Sequence, residues 1–417
     1  MQKIKPLIVS HSDLSGGAAR AAHRLTRALR EQYVDATMLV ASKMSDAPYV
    51  VGPKTKMGRA IVNILPRINK TLMRLQKSTN PILHSTNVMT SFLFRQIEES
   101  EANVVNLHWI NKEMLSIREI GRLKKPVVLT LHDMWAFCGA EHLSLDSELS
   151  RFRQGYRSDN RPEGHTRLDI DRWTWKRKLR NWQMPRHVIC PSHWLANCVQ
   201  ESALMRGWPV HVVPNVLDVD RFQPLDKAFC RQALGLTADV PLIAFGAIGH
   251  DINKGFDLLA NALDSLAKNK LLCGAECVVF GQSETSQSPS LGFPIRFIGR
   301  LHDDCSLTLL YNAVDVVVVP SRQENLPQIA TEAHACGTPV VAFKATGLLE
   351  VVEHETTGYL AEPFSVEDLA NGIFWVLEDH HRHQGLSVEA RKRAVRLWSP
   401  KVVVPQYIDV YRKAMED

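Results

Sequence analysis

The 417-residue sequence has no uninterrupted apolar run near the roughly 20 residues needed to cross a bilayer. Its amino terminus, Met-Gln-Lys-Ile-Lys-Pro-Leu-Ile-Val-Ser, has the pattern of a first strand rather than of a secretory signal. Aromatic residues are scarce at 7%, but 45% of the chain is hydrophobic and 23% is charged, as in ordinary globular proteins. These features predict a cytoplasmic globular protein that is long enough for two domains.

Cysteine is sparse, with eight residues scattered along the chain. The closest pair, Cys273 and Cys277, lacks the second pair of ligands that a structural zinc site needs. Cys190 and Cys277 fall within predicted strands, so we expect buried free thiols in a reducing compartment. The loop after the first strand also lacks the Gly-x-Gly-x-x-Gly motif, which argues against a nicotinamide cofactor.

The net charge of +6 is unevenly distributed. Residues Gly52–Lys77 carry seven basic side chains and no acid, and Arg151–Arg180 carry ten basic side chains against four acids. These two segments contribute +13 together, so the remainder of the chain is acidic by about −7. Basic character confined to two segments predicts a docking surface rather than a general effect on solubility.

Both basic segments have two interpretations. Gly52–Lys77 has apolar residues at helical spacing, interrupted at Pro66, and would either lie on anionic lipid or pack on its own sheet. The range 151–182 combines arginine with tryptophan, which suits phosphate or lipid headgroups, while a solvated lid-like loop is the alternative. The chain has no motif of an RNA-binding module, so no nucleic-acid partner is predicted.

Strands alternate with helices from the start of the chain, which predicts parallel sheets. The first strand, Pro6–Ser10, leads into His11–Gly17, a tight loop that opens a helix. Two further strands, in Asn103–Trp109 and Pro126–Trp135, end in polar and aromatic residues. In open α/β sheets, ligands bind at the carboxyl ends of the strands, so these loops are candidate site segments.

The most informative stretch is Ser321–Gly337, which follows the apolar run Val316–Pro320. We predict a buried strand feeding a helix with Asn325 as its N-cap, and the N-terminus of such a helix attracts anions. Glu324 and Glu332 would be about 12 Å apart in a continuous helix. That separation exceeds the range for a glycosidase pair and suits acids that hold two ends of a longer ligand. The alternative is an amphipathic helix with two solvated acids.

The motif Pro-Ser-x-x-Glu-x₇-Glu-Ala, followed by Cys-Gly-Thr-Pro-Val-Val-Ala, resembles the donor site of retaining GT-B glycosyltransferases of family 4. The resemblance implies that Glu324 contacts the transferred sugar and that Glu332 holds the ribose hydroxyls. It also implies that the N–H groups of Asn325 and Leu326 lie near the diphosphate. This interpretation requires both acids to be accessible to the donor.

The resemblance extends to the loops of both predicted domains. In the second domain it implies a diphosphate contact for Lys254, but Ala247 stands where the family often has arginine, so Arg322 or Arg20 would have to compensate. It also implies that His132 lies near the donor sugar and completes a catalytic set with Glu324 and Lys254. The remaining implied contacts are Gly16, Gly17, Gly246 and Arg322 for the donor, and Asp133 and Trp135 on the acceptor side.

The implied architecture is a GT-B fold, with two Rossmann-like parallel-sheet domains facing a cleft. The predicted domains are residues 1–222 and 223–399, with a linker at Val216–Pro224 and a final helix in residues 400–417 that crosses back to the first domain. Cys138 stands without the further cysteines that often follow in related chains, so neither a metal nor a disulfide is expected in that insert.

The implied activity is retaining transfer of a hexose from a nucleotide diphosphate sugar to a glycan acceptor, without a metal or other cofactor. The basic segments favour an acceptor linked to a polyprenyl diphosphate in bacterial surface polysaccharide synthesis, with the protein peripheral on the inner face of the plasma membrane. Two alternatives remain. One is a soluble small-molecule or sucrose-type transferase, and the other is a non-catalytic nucleotide-sugar-binding assembly subunit, for which Ala247 is the warning sign.

Overall fold

The computed structural model describes residues 3–53, 55–246, 251–283, 291–301 and 303–417. The chain forms two compact units, which we call unit 1 (Met1–Val216 with Val403–Asp417) and unit 2 (Leu217–Val402). The change of unit after Val216 falls at the start of the stretch in which the sequence predicts a linker.

Unit 1 is built on strands rich in valine, isoleucine and leucine, and most of them are buried on both faces, as expected of a parallel sheet. Its strands are β1 (Pro6–Ser12), β2 (Thr37–Ser42), β3 (Val50–Val51), β4 (Gln76–Lys77), β5 (Val104–Leu107), β6 (Val127–Thr130), β7 (Thr166–Arg167), β8 (His187–Cys190) and β9 (Val210–Val212). Seven of them form one parallel sheet in the order β3-β2-β1-β5-β6-β8-β9, and β4 pairs with β7 in a small antiparallel ribbon.

The helices of unit 1 correct two predictions about the basic segments. They are α1 (Gly17–Glu31), α2 (Lys56–Met73), α3 (Phe92–Glu99), α4 (Ile117–Arg122), α5 (Arg151–Gln154), α6 (Ile170–Asn181) and α7 (His193–Glu201). The predicted interruption at Pro66 is wrong, because α2 continues through it. The range 151–182 is not a lid-like loop, since α5, β7 and α6 occupy much of it and Trp182 lies in the core.

Unit 2 repeats the architecture with six parallel strands in the order β12-β11-β10-β13-β14-β15. These are β10 (Leu242–Gly246), β11 (Glu276–Phe280), β12 (Ile295–Phe297), β13 (Val316–Val319), β14 (Val340–Phe343) and β15 (Gly358–Ala361). Its helices are α8 (Lys227–Ala233), α9 (Phe256–Lys268), α10 (Asp304–Ala313), α11 (Gln328–Ala335), α12 (Leu348–Val351), α13 (Val366–Glu378) and α14 (His380–Trp398), and a 3-10 turn at Ile252–Lys254 precedes α9.

The last helix, α15 (Pro400–Glu416), packs on unit 1, as the sequence predicts. Its buried residues, including Val403, Tyr407 and Tyr411, share a core with Ile8 of β1 and Val104 of β5. The Asn106 side chain donates a hydrogen bond of 2.8 Å to the Tyr411 hydroxyl. Burial of this apolar face and one buried polar contact therefore hold the end of the chain on the sheet where the chain begins.

Two features of the composition are borne out among the described residues. All eight cysteines are free thiols, and six of them, including Cys190 and Cys277, are buried. No helix in the described ranges combines the length and apolar character needed to cross a bilayer.

The Tyr411 contact gives a test of how the last helix is held. Tyr411→Phe leaves the buried amide of Asn106 without its acceptor, and we expect the free energy of unfolding to fall by about 1–3 kcal/mol. Scanning calorimetry should show this as a lower melting temperature. The matched variant Tyr33→Phe, at a side chain that is 93% exposed, should leave it unchanged. Equal melting temperatures for both variants would contradict a stabilising role for this bond.

Candidate active site

Helix α11 of unit 2 begins at Gln328, later than the sequence predicts. Its N-cap is Pro327, so the prediction that Asn325 caps the helix is wrong. A proline disfavours helical geometry in the residue before it, so Leu326 is kept out of the helix. The estimate of 12 Å between Glu324 and Glu332 therefore does not apply, because the first part of that segment is not helical.

Two predicted site residues are brought into direct contact. The Lys254 ammonium lies 2.6 Å from Oε1 of Glu324, with side-chain exposures of 31% and 15%. The Glu324 charge raises the pKa of Lys254. The predicted contact of Lys254 is with a diphosphate, and in the structure its ammonium is paired with the Glu324 carboxylate.

The loop that carries Lys254 is tied closely to the end of β13. Gly255 has a φ of +66°, and a Cβ atom there would lie 1.9 Å from the carbonyl oxygen of Pro320, so only glycine allows this approach. The side-chain amide of Asn253 donates a hydrogen bond to the backbone carbonyl of Gln323 (2.8 Å). The backbone carbonyl of Asn253 accepts one from the N–H of Arg322 (2.8 Å). These contacts set the position of Lys254 relative to Glu324.

The loop after β14 holds the backbone of Glu324 from another side. The Thr346 hydroxyl accepts a 3.0 Å hydrogen bond from the N–H of Glu324, and the N–H of Gly347 donates to the Glu324 carbonyl (2.9 Å). A Cβ atom at Gly347 would lie 1.4 Å from the carbonyl oxygen of Asn325. This role of Thr346 was not predicted, and a threonine beside Gly347 in a strand-end loop was the available signal.

Glu332 does not meet the requirement that both acids be accessible. It is 2% exposed, and Oε2 accepts a 2.7 Å hydrogen bond from the Tyr311 hydroxyl. The expectation of accessibility is wrong for this acid because residues Ala330–Ala335 of α11 are all buried, whichever face they occupy. Its ribose contact stays a prediction, and the accessible acid of the motif is Glu324.

The other predicted donor residues of unit 2 have structural contacts. Both terminal nitrogens of Arg322 bind the carboxylate of Asp257 (2.9 and 2.6 Å), and one also donates to a backbone carbonyl. Gly246 ends β10, and a Cβ atom there would lie 2.6 Å from the side chain of Ile329. Leu326 is 7% exposed and packs in the core. Ala247 lies outside the described residues.

Unit 1 carries the remaining predicted residues on loops at strand ends. Gly16 precedes α1 with a φ of +94°, and Gly17 is the first residue of that helix. Gly16 is the N-cap and has no side chain to cap the helix, and its carbonyl accepts a 3.1 Å hydrogen bond from the N–H of Arg20. The donor contacts of both glycines stay a prediction.

His132 and Asp133 follow β6 and join a cluster of rings. Nδ1 of His108 lies 2.9 Å from Nε2 of His132, and burial lowers the pKa of His132 to about 4. Asp133 accepts hydrogen bonds from His142 (2.6 Å) and from the indole of Trp109 (3.0 Å). Burial opposes ionisation of Asp133, but His142 and these hydrogen bonds outweigh it and lower its pKa. His108 and His142 were not predicted as members of this cluster, because no local spacing connects them to Asp133.

Trp135 does not form part of an accessible acceptor surface. It is 4% exposed, its indole N–H donates to the carbonyl of Ser85 (2.8 Å), and the Lys178 ammonium lies 3.9 Å from its ring centroid. Its acceptor-side role stays a prediction. The alternation of strand-end residues did not reveal that this indole points into the core.

Two α/β units, each built on a parallel sheet and carrying these strand-end loops, define the chain as a protein of the GT-B fold class. A sucrose-phosphate synthase from Thermosynechococcus elongatus superposes with a TM-score of 0.68 at 19% identity, covering 100% of both chains. HepE from Anabaena, solved with UDP and glucose, gives a TM-score of 0.65 at 18% identity over 98% of this chain and 100% of its own. At these identities the likeness concerns the fold.

The family follows from the sequence models. One described as Glycosyltransferase Family 4 matches residues 15–221, and one described as Glycosyl transferases group 1 matches residues 240–379. The chain belongs to this family of glycosyltransferases. A D-inositol 3-phosphate glycosyltransferase of Saccharomonospora viridis is 32% identical over 219 residues, which are 49% of this chain and 50% of the relative. The chain spans about half the length of the curated relatives it matches.

The low pKa of His132 predicts a pH-dependent stability. Between the ordinary value of 6.5 and about 4, the unfolded chain binds a proton at His132 that the folded chain does not. The free energy of unfolding should therefore fall as the pH drops from about 6.5 to 4, by at most about 3 kcal/mol.

His132→Gln should flatten urea-unfolding stability across this pH window, while His380→Gln, at an exposed histidine, should leave the slope unchanged. A slope that is the same in both variants and the parent would show that His132 is not the group responsible.

Proposed function

We propose that the protein is a retaining glycosyltransferase that takes a hexose from a nucleotide diphosphate sugar. The observation that carries this proposal is the 2.6 Å contact between Lys254, just before α9, and Glu324, just before α11. An acid for the sugar and a cation for the diphosphate are the two groups that such a donor needs at adjacent positions. HepE, a neighbour of the same fold solved with UDP-glucose, supports a nucleotide-sugar donor.

Charge development on the leaving group explains the roles of these residues. When the sugar–phosphate bond breaks, the nucleotide diphosphate gains negative charge, which the Lys254 ammonium and the N-terminus of α11 would stabilise. Glu324 would hold the transferred sugar. Because Glu324 neutralises Lys254, the donor diphosphate has to compete with a carboxylate for the ammonium. His132, neutral at physiological pH, would offer the sugar a hydrogen bond rather than a charge.

The acceptor we propose is a glycan on a polyprenyl diphosphate, reached from the cytoplasmic face of the membrane. Support comes from α2 and its C-cap Arg74, because Lys70 and Arg74 are exposed and Ile64 is 51% exposed, while Leu65 is buried. The second basic segment contributes less, because Arg177 donates to the backbone carbonyls of residues 86 and 87. Lipid contact would therefore be made mainly through α2.

A second candidate acceptor is a small polyol phosphate in solution. The relatives of about 32% identity are D-inositol 3-phosphate glycosyltransferases, and this observation favours an acceptor that needs no membrane. The two candidates share the donor chemistry and differ in whether transfer requires a lipid.

A screen of UDP- and GDP-sugars for transfer and hydrolysis tests the donor proposal directly. The purified chain should release nucleotide diphosphate from one donor class, with retained configuration at the anomeric carbon. Parallel reactions with a polyprenyl-diphosphate glycan and with inositol phosphates separate the two acceptors. Binding of a sugar nucleotide without any turnover would instead support the non-catalytic alternative.

Glu324→Gln should reduce transfer by about 100-fold or more, since it removes a charge that contacts the reacting sugar. The matched control is Glu362→Gln, at an exposed carboxylate that also faces a lysine, 3.8 Å away, in unit 2. Glu362→Gln should melt within about 2 °C of the parent because its ion pair is exposed. Glu324→Gln should stay folded but melt at a somewhat lower temperature, because it leaves the partly buried Lys254 ammonium without its carboxylate partner. Near-parental turnover in Glu324→Gln would contradict the assignment.

Charge reversal on α2 tests the membrane contact. The double variant Lys70→Glu/Arg74→Glu should lower sedimentation with phosphatidylserine vesicles by about tenfold or more, because each basic residue near anionic lipid contributes about 1 kcal/mol. Lys268→Glu/Lys270→Glu, exposed in unit 2, is the control and should bind as the parent does. Equal, negligible binding of the parent to anionic and neutral vesicles would eliminate the membrane proposal.

A further inference from the structure

Three buried polar side chains from distant segments of unit 1 converge on one point. His84, Glu141 and Asp171 are 8%, 7% and 3% exposed, and each directs one potential ligand atom to within 4.8 Å of the others. His84 and Glu141 are antiparallel bridge partners, and Asp171 lies in the first turn of α6. All three residues belong to unit 1, whereas Glu324 and Lys254 belong to unit 2.

The other polar atom of each side chain is already held by a neighbour. Nδ1 of His84 lies 2.6 Å from the carbonyl oxygen of Ile82. Because a carbonyl can only accept, Nδ1 carries the proton and Nε2 presents a lone pair. Oδ2 of Asp171 accepts from the Gln76 amide (2.6 Å).

Glu141 follows the same pattern, since its Oε1 accepts a hydrogen bond from the hydroxyl of Tyr156. Outer partners of this kind orient the ligands of metal sites. In each of the three side chains, the polar atom that faces the common point is therefore the one that these neighbours do not bind.

With both carboxylates ionised, those remaining atoms have no hydrogen-bond partner among the described residues, and a proton shared by Glu141 and Asp171 is the competing arrangement. The three atoms are Nε2 of His84, Oε2 of Glu141 and Oδ1 of Asp171. Nε2 and Oδ1 are 3.7 Å apart, too far for a hydrogen bond. Leaving one buried acceptor unpaired is costly, and three at one place require a common explanation.

The nearby lysine does not supply that explanation. The Lys178 ammonium has three donors, and the carbonyl oxygens of Trp135, Cys138 and Gly139 accept from it. Gly139 also leaves space at the cluster, since a Cβ atom there would lie 2.7 Å from Oε2 of Glu141.

We propose that His84, Glu141 and Asp171 bind a divalent transition-metal ion. One imidazole nitrogen and two carboxylate oxygens, with a fourth position for water, form a ligand set that suits Zn²⁺. The two carboxylates would balance its charge in the interior. The ion would join the segment before α3, the loop after β6 and the start of α6, and it would overturn the expectation that this insert holds no metal.

The parent protein provides the first test. Untagged full-length chain, dialysed against a chelator and then offered Zn²⁺, should retain about one ion per chain after gel filtration, measured by elemental analysis. X-ray absorption should show only nitrogen and oxygen ligands near 2.0–2.1 Å. A folded protein that takes up no metal would mean that the carboxylates share a proton instead, and this outcome overturns the proposal. Sulfur scattering near 2.3 Å would overturn it as well.

Two variants change the charge and hardly the shape. Asp171→Asn and Glu141→Gln should each weaken Zn²⁺ binding by more than about 100-fold, and Tyr156→Phe by about 10- to 100-fold, as loss of an outer partner does. The control is His211→Gln. The His211 imidazole pairs with that of His187, which also contacts the carboxylate of Asp417. In the described part of unit 1, this is the one pair of imidazoles near a carboxylate outside the cluster around His132. Unchanged affinity in folded ligand variants would contradict the site. If the variants do not fold, the ligand set of the parent decides.

Discussion

The contact between the Lys254 ammonium and the Glu324 carboxylate depends on three strand-end loops meeting at one edge of the unit 2 sheet. Gly255 lets the first loop touch the end of β13, and Thr346 holds the backbone of Glu324 from the loop after β14. Parallel strands bring their carboxyl ends to the same edge, so distant residues become neighbours without any local sequence signal. The sheet thus brings the two partners of the ion pair together, although Glu324 lies in a loop and Lys254 in a 3-10 turn.

The fold was predictable because its signals are local and repeated. Apolar β-branched runs such as Val316–Val319 alternate with helical periodicity, and this pattern indicates parallel α/β units whatever the tertiary detail. Helix boundaries were less predictable. Pro327 supports a helix start by its fixed φ, but it also excludes Leu326, and the spacing alone did not reveal which effect decides the first residue.

The candidate site was predictable in its residue types and much less in their environments. Motif spacing identified Glu324 and Lys254 but not that they bind each other across 70 residues of chain. Burial of Glu332 and Trp135 could not be inferred, because a carboxylate or indole at a strand end or on a helix can face either way. The charge of Arg322 made it a candidate phosphate ligand, but its bidentate contact with Asp257 depends on the tertiary structure and could not be inferred from the sequence.

Two polar clusters of unit 1, one at the proposed metal position and one around Asp133, are linked by extended backbone whose side chains alternate in direction. His84 and Glu141 point to the proposed metal position, and the residues that follow them, Ser85 and His142, hydrogen-bond each other at 2.9 Å. Successive side chains of extended chain face opposite sides, so one bridge serves both clusters. His142 also holds Asp133 at 2.6 Å, beside the loop that carries His132. An ion on one side of the bridge would therefore fix the register that orients Asp133 on the other. Buried polar groups without hydrogen-bond partners in one cluster can in this way, by binding an ion, fix the positions of the side chains in the neighbouring cluster.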